Sequence, residues 1–213
     1  MPYKLINKIK NLLSTIKRGV NTLLREALRK TDYQRWSNKE SLSQSWDTRT
    51  KQIAALIKPG ASVIKFGAGR LILKTFLPEN CSYTPSDLVD RGYGTIICDL
   101  NSKALQQFKT YDVAVFSGVL EYINDIPRLI FYLSRCVNVI IASYAVIEEN
   151  KSNRSGQGWV NDYNSKQFIN IFENAGFRCD YTEEWQSQVI YKFIRKQPKD
   201  VAPLRIKLHD SRE

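Results

Sequence analysis

The chain has 213 residues, 43% of them hydrophobic and 25% charged, and a net charge of +11. That length suits one large domain with appendages, and that composition excludes wholesale disorder, a collagen and a coiled-coil rod. The charge is unevenly spread: residues 1–30 carry eight Lys or Arg against one acid, whereas residues 61–213 carry 19 against 17, so the main body is nearly neutral and speaks against a nucleic-acid-binding surface.

In chain order, the first expected element is a helix over residues 5–28. Leu5, Ile6, Ile9, Leu12, Leu13, Ile16, Val20, Leu23, Leu24 and Leu28 recur at three- and four-residue spacing, with Lys4, Lys8, Arg18, Arg25 and Arg29 opposite, and Gly19 weakens the middle. We divide the chain into this basic amphipathic segment (1–30), a linker or short irregular helix (31–45), a main domain (46–196) and a polar tail (197–213). In the main domain, β-rich runs at 62–66, 82–86, 95–100, 112–117, 137–143, 179–185 and 189–195 alternate with helical stretches at 45–57, 70–76, 119–134 and 165–175. Such alternation predicts an α/β fold, with a parallel sheet covered on both faces. The closely linked last two strands predict an antiparallel edge hairpin.

Several chemistries are excluded early. Cys81, Cys98, Cys136 and Cys179 form no C-x-x-C pair, and His209, the only histidine, lies in the polar tail, so no metal site is expected. The cysteines read as reduced residues of a cytoplasmic protein, and mechanisms built on a histidine base lack support. No stretch approaches the roughly 18 apolar residues of a membrane span, and lysines interrupt any secretory signal.

The chemistry-bearing pattern begins where the first strand runs into Phe66-Gly67-Ala68-Gly69-Arg70. Glycines there let the backbone approach a ligand, although a tight structural turn explains them as well. Ile72 stands where a dinucleotide fingerprint wants a third glycine, which disfavours nicotinamide and flavin. Acids then close the next two strands. Asp87, 18 residues beyond Gly69, is placed to accept two ribose hydroxyls; Asp99 can accept from an exocyclic amine while Leu100 covers a base.

With these residues the chain resembles the class I S-adenosylmethionine-dependent methyltransferases of the small-molecule type, over about residues 46–196. Lys65, Phe66, Gly67, Ala68 and Gly69 fall on the first motif, Asp87 on the second, Asp99 and Leu100 on the third, and Ser117 and Gly118 on the end of the fourth strand. Asn174-Ala175-Gly176-Phe177 is similar to the run before the family's last two strands. The resemblance implies S-adenosyl-L-methionine as cofactor and a Rossmann-like seven-stranded sheet in the order 3-2-1-4-5-7-6, its last strand antiparallel. The cofactor would then sit at the carboxyl ends of strands 1 to 4.

Lys65 departs from the family, which has an acid there, near the positively charged methionine part of the cofactor. Three outcomes are open: the lysine turns away to an acid such as Glu121, it binds the methionine carboxylate, or it impairs cofactor binding. Leu71 replaces a frequent third glycine. Tyr122, where relatives often have histidine, and Asp125, Tyr144 and Glu148 are candidates for the acceptor side, and ordinary cap or loop roles are the favoured explanation of the last three. Arg154, Trp159 and Asn161 fall where relatives form an acceptor lid. The Trp46-Asp47-Thr48-Arg49 run could close over the cofactor or simply open a helix. The first helix docks by its leucine face, pairs with another chain or lies on an anionic membrane, in which case the acceptor could be a glycan or lipid-linked. The rival reading is a catalytically silent methyltransferase-like scaffold.

Overall fold

The structure is a computed structural model that describes residues 2–150 and 153–197, without the side chains of residues 2–5 and 7–12. The expected tail beyond residue 197, with His209, lies outside the described residues. Helix α1 (Pro2–Ala27) leads into a strap containing α2 (Tyr33–Ser37) and two 3-10 turns (Lys39–Ser41 and Gln44–Trp46). The main body then runs α3 (Asp47–Ala55), β1 (Ser62–Phe66), α4 (Leu73–Phe76), β2 (Ser82–Asp87), β3 (Ile96–Ile97) and β4 (Tyr111–Ser117). It continues through a 3-10 turn (Leu120–Tyr122), α5 (Ile126–Leu133), β5 (Val137–Tyr144), α6 (Arg154–Gln157), α7 (Ser165–Asn174), β6 (Phe177–Trp185) and β7 (Gln188–Arg195).

The seven strands form one sheet in the order β3-β2-β1-β4-β5-β7-β6, with β7 antiparallel to both neighbours. Strand alternation divides the core between its two faces. Ile64, Phe66, Ala114, Phe116, Ile140 and Ala142 face α5 and α7, where Phe168, Phe172 and Phe193 complete the larger core. Val63, Val113, Val115 and Ile141 face α3 with Ile53, Ala54 and Ile57. This period also fixes Lys65: it shares the face of Val63, so its side chain points under α3.

Two expectations need correction. The third strand, expected over 95–100, shortens to Ile96–Ile97 because it is the sheet edge and Asp99 turns the chain through a hydrogen bond from the Asn101 amide. The helix expected over 119–134 is divided at Asp125, whose carboxylate caps α5 by accepting the Arg128 amide, with proline in the first turn.

Candidate functional site

The carboxyl ends of β1, β2 and β4 open into one cavity with about 1010 Å³ of empty space, its open mouth included. Its floor is the turn after β1. Gly67 and Gly69 have φ of 62° and 56°, and a Cβ at Gly67 would come 2.6 Å from a Val119 methyl. Leu71 also holds a positive φ, 60°, so the backbone keeps a glycine's conformation although leucine pays strain for it.

Lys65, Phe66, Gly67, Ala68, Gly69, Asp87, Asp99, Leu100, Ser117 and Gly118 all line this cavity. Asp87 is almost fully buried and accepts from the Gly69 amide at 2.8 Å, the Leu88 amide at 2.7 Å and the Arg91 guanidinium at 3.3 Å. A carboxylate has about four acceptor positions, so one remains for a ligand hydroxyl unless Arg91 yields. Arg91 is itself held by the Trp36 and Ser37 carbonyls. Asp99 accepts from the Thr31 hydroxyl at 2.6 Å. Residues 31–46 therefore form the cavity's outer wall: Thr31, Trp36, Leu42, Ser43 and Trp46 line it, and Trp36 packs edge-on against Tyr122 with centroids 4.7 Å apart.

Beneath the turn lie two cations. Lys65 is 4% exposed and donates to the Phe66 carbonyl at 2.9 Å and the Gly67 carbonyl at 3.2 Å, not to Glu121. Burial and the neighbouring Arg49 lower its pKa from 10.5 to about 7, against the smaller opposing pull of Asp87. Arg49, 5% exposed, donates to the Ser117 carbonyl and to Gln188, whose amide in turn donates to Glu121. Glu121 is fully buried; one oxygen accepts from Ala145 and Gln188, the other has no partner, and burial raises its pKa.

Gly118 is where Arg49 meets β4. Its φ is 64°, and a Cβ there would lie 2.6 Å from the Arg49 Nη1. Gly118→Ala is therefore expected to lower stability by about 2 kcal/mol and displace the guanidinium. An unchanged denaturant midpoint would show that Arg49 is not fixed by this contact.

The acceptor-side candidates separate. Tyr122 lines the cavity, its hydroxyl accepts from Trp159 Nε1 at 3.1 Å, and burial pushes its pKa up to about 12. Asp125 caps α5, and Glu148 accepts the Ser165 amide. Tyr144 is fully buried, with its hydroxyl donating to Asn161 and accepting from the Tyr163 amide. Asn161 donates to the Leu120 and Ile123 carbonyls, and Arg154 to the Ala145 and Asn161 carbonyls, pairing also with Asp162. Arg154, Trp159 and Asn161 thus brace the segment behind Tyr122 and do not line the cavity. The residues that sequence reasoning passed over are Thr31, Trp36, Leu42 and Arg91. The four-residue spacing of Asp87 and Arg91 was the one available signal.

An open parallel sheet with a left-handed glycine turn after β1 and acids at the ends of the next two strands defines a nucleoside-binding α/β domain. The model of the methyltransferase domain family matches residues 33–182, and the chain belongs to that family, the class I S-adenosylmethionine-dependent methyltransferases. No curated protein matches significantly. Among solved structures, an O-methyltransferase-like protein of Nostoc punctiforme aligns at 12% identity and TM-score 0.61, covering 88% of this chain and 71% of that one. The O-methyltransferase NcsB1 of neocarzinostatin biosynthesis, solved with S-adenosylmethionine and 2-hydroxy-5-methyl naphthoic acid, aligns at 16% identity and TM-score 0.57, covering 85% and 70%. The [4+2]-cyclase SpnF aligns at 12% identity and TM-score 0.56, covering 70% and 80%. At these identities the likeness is one of fold, which hosts more than one chemistry.

S-adenosylmethionine is the family's cofactor, and the cavity fits it: the turn leaves room where a Cβ would clash, Asp87 and Asp99 present carboxylates, and Ile72, Leu88 and Leu100 supply apolar wall. Lys65 and Arg49 are the features that a cationic ligand must accommodate. Among the described residues there is no cluster of metal-ligating side chains, and no helix is long and apolar enough to cross a membrane.

Proposed function

We propose that this methyltransferase acts on a small-molecule acceptor of glycan or lipid-linked type, with its cofactor held by Phe66 to Gly69, Asp87, Asp99, Leu100, Ser117 and Gly118, above the buried Lys65. The observation carrying the cofactor assignment is that these strand ends converge on one cavity in family order. When bound, S-adenosylmethionine supplies an already activated methyl group, so rate comes mainly from alignment and proximity. Tyr122, with its pKa near 12, acts as a neutral hydroxyl wall and not as a phenolate base at neutral pH. Trp36 and Tyr122, packed edge to face, exclude water from the cavity's acceptor side.

Support for the acceptor class comes from the basic amphipathic helix α1 beside the domain, with a second cavity lined by Leu23, Glu26, Ala27, Arg29, Asn124 and Val160 between α1 and the segment after the Leu120–Tyr122 turn.

Methyl-labelled S-adenosylmethionine incubated with separated lipid-linked and free glycan fractions tests this reading, which expects label in one of them. Label in neither, with cofactor binding intact, would overturn the glycan or lipid-linked acceptor, whereas label in neither without cofactor binding would support the silent-module alternative that the buried Lys65 and Arg49 favour.

A further inference from the structure

Helix α1 meets the domain with the opposite face from the one its leucines form. Its contacts run through small and polar residues: Gly19 faces the Ser155 hydroxyl, Thr15 lies against Gly156, and Arg18 reaches the Gly156 carbonyl at 3.5 Å. Thr22 is completely buried and donates to the Arg18 carbonyl, and Arg25 bridges Thr22 and Asp32. About 150° around the helix, at 100° per residue, lies the apolar stripe. Ile6, Leu13, Ile16, Val20, Leu23, Leu24 and Leu28 are each 48–62% exposed. Seven large apolar side chains about half exposed or more along one helix face mark an interaction surface.

Charge at the edge of the stripe identifies the occupant. By helical period Lys10 and Lys17 flank the stripe, whereas Lys4, Lys8, Arg18, Arg25 and Arg29 lie on the opposite side and the one acid, Glu26, falls off it. Exposed Lys17 sits at the edge of the stripe, one turn from Leu13 and two from Leu24. We infer that this face lies on an anionic lipid surface, with the leucines entering the acyl boundary and the lysines meeting the headgroups. A second copy of the chain is a poorer fit. Ile6, Ile9, Leu13, Ile16, Val20 and Leu23 keep a 3.5-residue seam that a second copy could share, but pairing would bring the flanking Lys10 and Lys17 of both helices to the edge of that seam. The inference is independent of the acceptor's chemistry, and its failure would leave methyl transfer untouched.

Sedimentation of the full-length protein with vesicles tests it. Vesicles containing phosphatidylglycerol should carry the protein down, phosphatidylcholine vesicles should carry little, and added salt should release it. Because Leu13 and Leu24 are 60% and 56% exposed, Leu13→Ser combined with Leu24→Ser should leave the circular dichroism unchanged and reduce partitioning about a hundredfold or more. Lys17→Gln should reduce it about fivefold. Failure of the wild type to sediment with anionic vesicles at low salt overturns the inference. So does a double variant that binds as well as wild type, or a stable dimer that excludes vesicles and identifies a second copy as the occupant.

Discussion

Lys65→Met is expected to stabilise the fold near neutral pH, by up to about 4 kcal/mol, and to tighten cofactor binding in the same range. The stability effect follows from linkage. Folding lowers the lysine's pKa from 10.5 to about 7, so between those values the unfolded chain holds a proton that the folded chain releases. The penalty is therefore absent above pH 10.5, grows as pH falls, and is fully present below about pH 7. Wild-type stability should accordingly rise with pH from 7 toward 10.5 relative to the variant, and the two unfolding profiles should converge at the alkaline end.

The binding effect follows from geometry, because Lys65 Nζ now occupies the Phe66 and Gly67 carbonyls at the cavity floor. A ligand cation seated against those carbonyls at about 4 Å from a charged lysine loses about 4 kcal/mol at an effective dielectric of 20. That corresponds to about a thousandfold in affinity. Cofactor affinity of the wild type should thus improve as pH rises through 7, while that of Lys65→Met stays flat. If Lys65→Met instead weakens both folding and binding, the lysine is a structural tie and a ligand partner.

Asp87→Ala is expected to act in the opposite direction. It removes the acceptor for the Gly69 amide that anchors the turn and leaves the Arg91 guanidinium buried, its side chain 3% exposed, without its carboxylate. Stranding a buried charge costs about 3–5 kcal/mol. Cofactor affinity should fall below detection, since the same carboxylate supplies the remaining acceptor for a ligand hydroxyl. Arg91→Met separates the two roles: it leaves Asp87 to the turn and frees an acceptor, so it should preserve cofactor binding. Equal loss of binding in both variants would show that Arg91, and the strap carbonyls it holds, form part of the binding surface.

The sheet was legible because its signals are local. The β1 run ends at Gly67, the acids follow at the ends of the next two strands, and the closing hairpin is continuous, so most boundaries follow from the chain itself, whereas the strand order comes from the resemblance to the family. Elements without a period were not legible: α6 is four residues long, and β3 is cut short by an Asp99 turn that its composition does not announce. The cavity floor was named from motif positions. Its walls were not, because Thr31, Trp36 and Arg91 arrive through contacts of 54 to 68 residues' separation that no periodicity encodes. Helix α1 shows the same limit: spacing locates its leucine stripe, but Thr22 and Gly19 decide which face docks.

Lys65 illustrates both sides. Its substitution for an acid is visible in the sequence, and strand period places it under α3, but only the structure shows it bonded to carbonyls instead of to Glu121. The direction of its effect on stability and binding depends on that difference.

The cavity is expected to bind S-adenosylmethionine despite the cation beneath it. Isothermal titration of the full-length protein with S-adenosylmethionine and S-adenosylhomocysteine, at a pH well above 7 and again below it, tests this most directly. Both ligands should bind, more tightly at the higher pH, and Asp87→Ala should abolish binding. No detectable heat from either ligand at millimolar concentration, at either pH, would contradict that expectation.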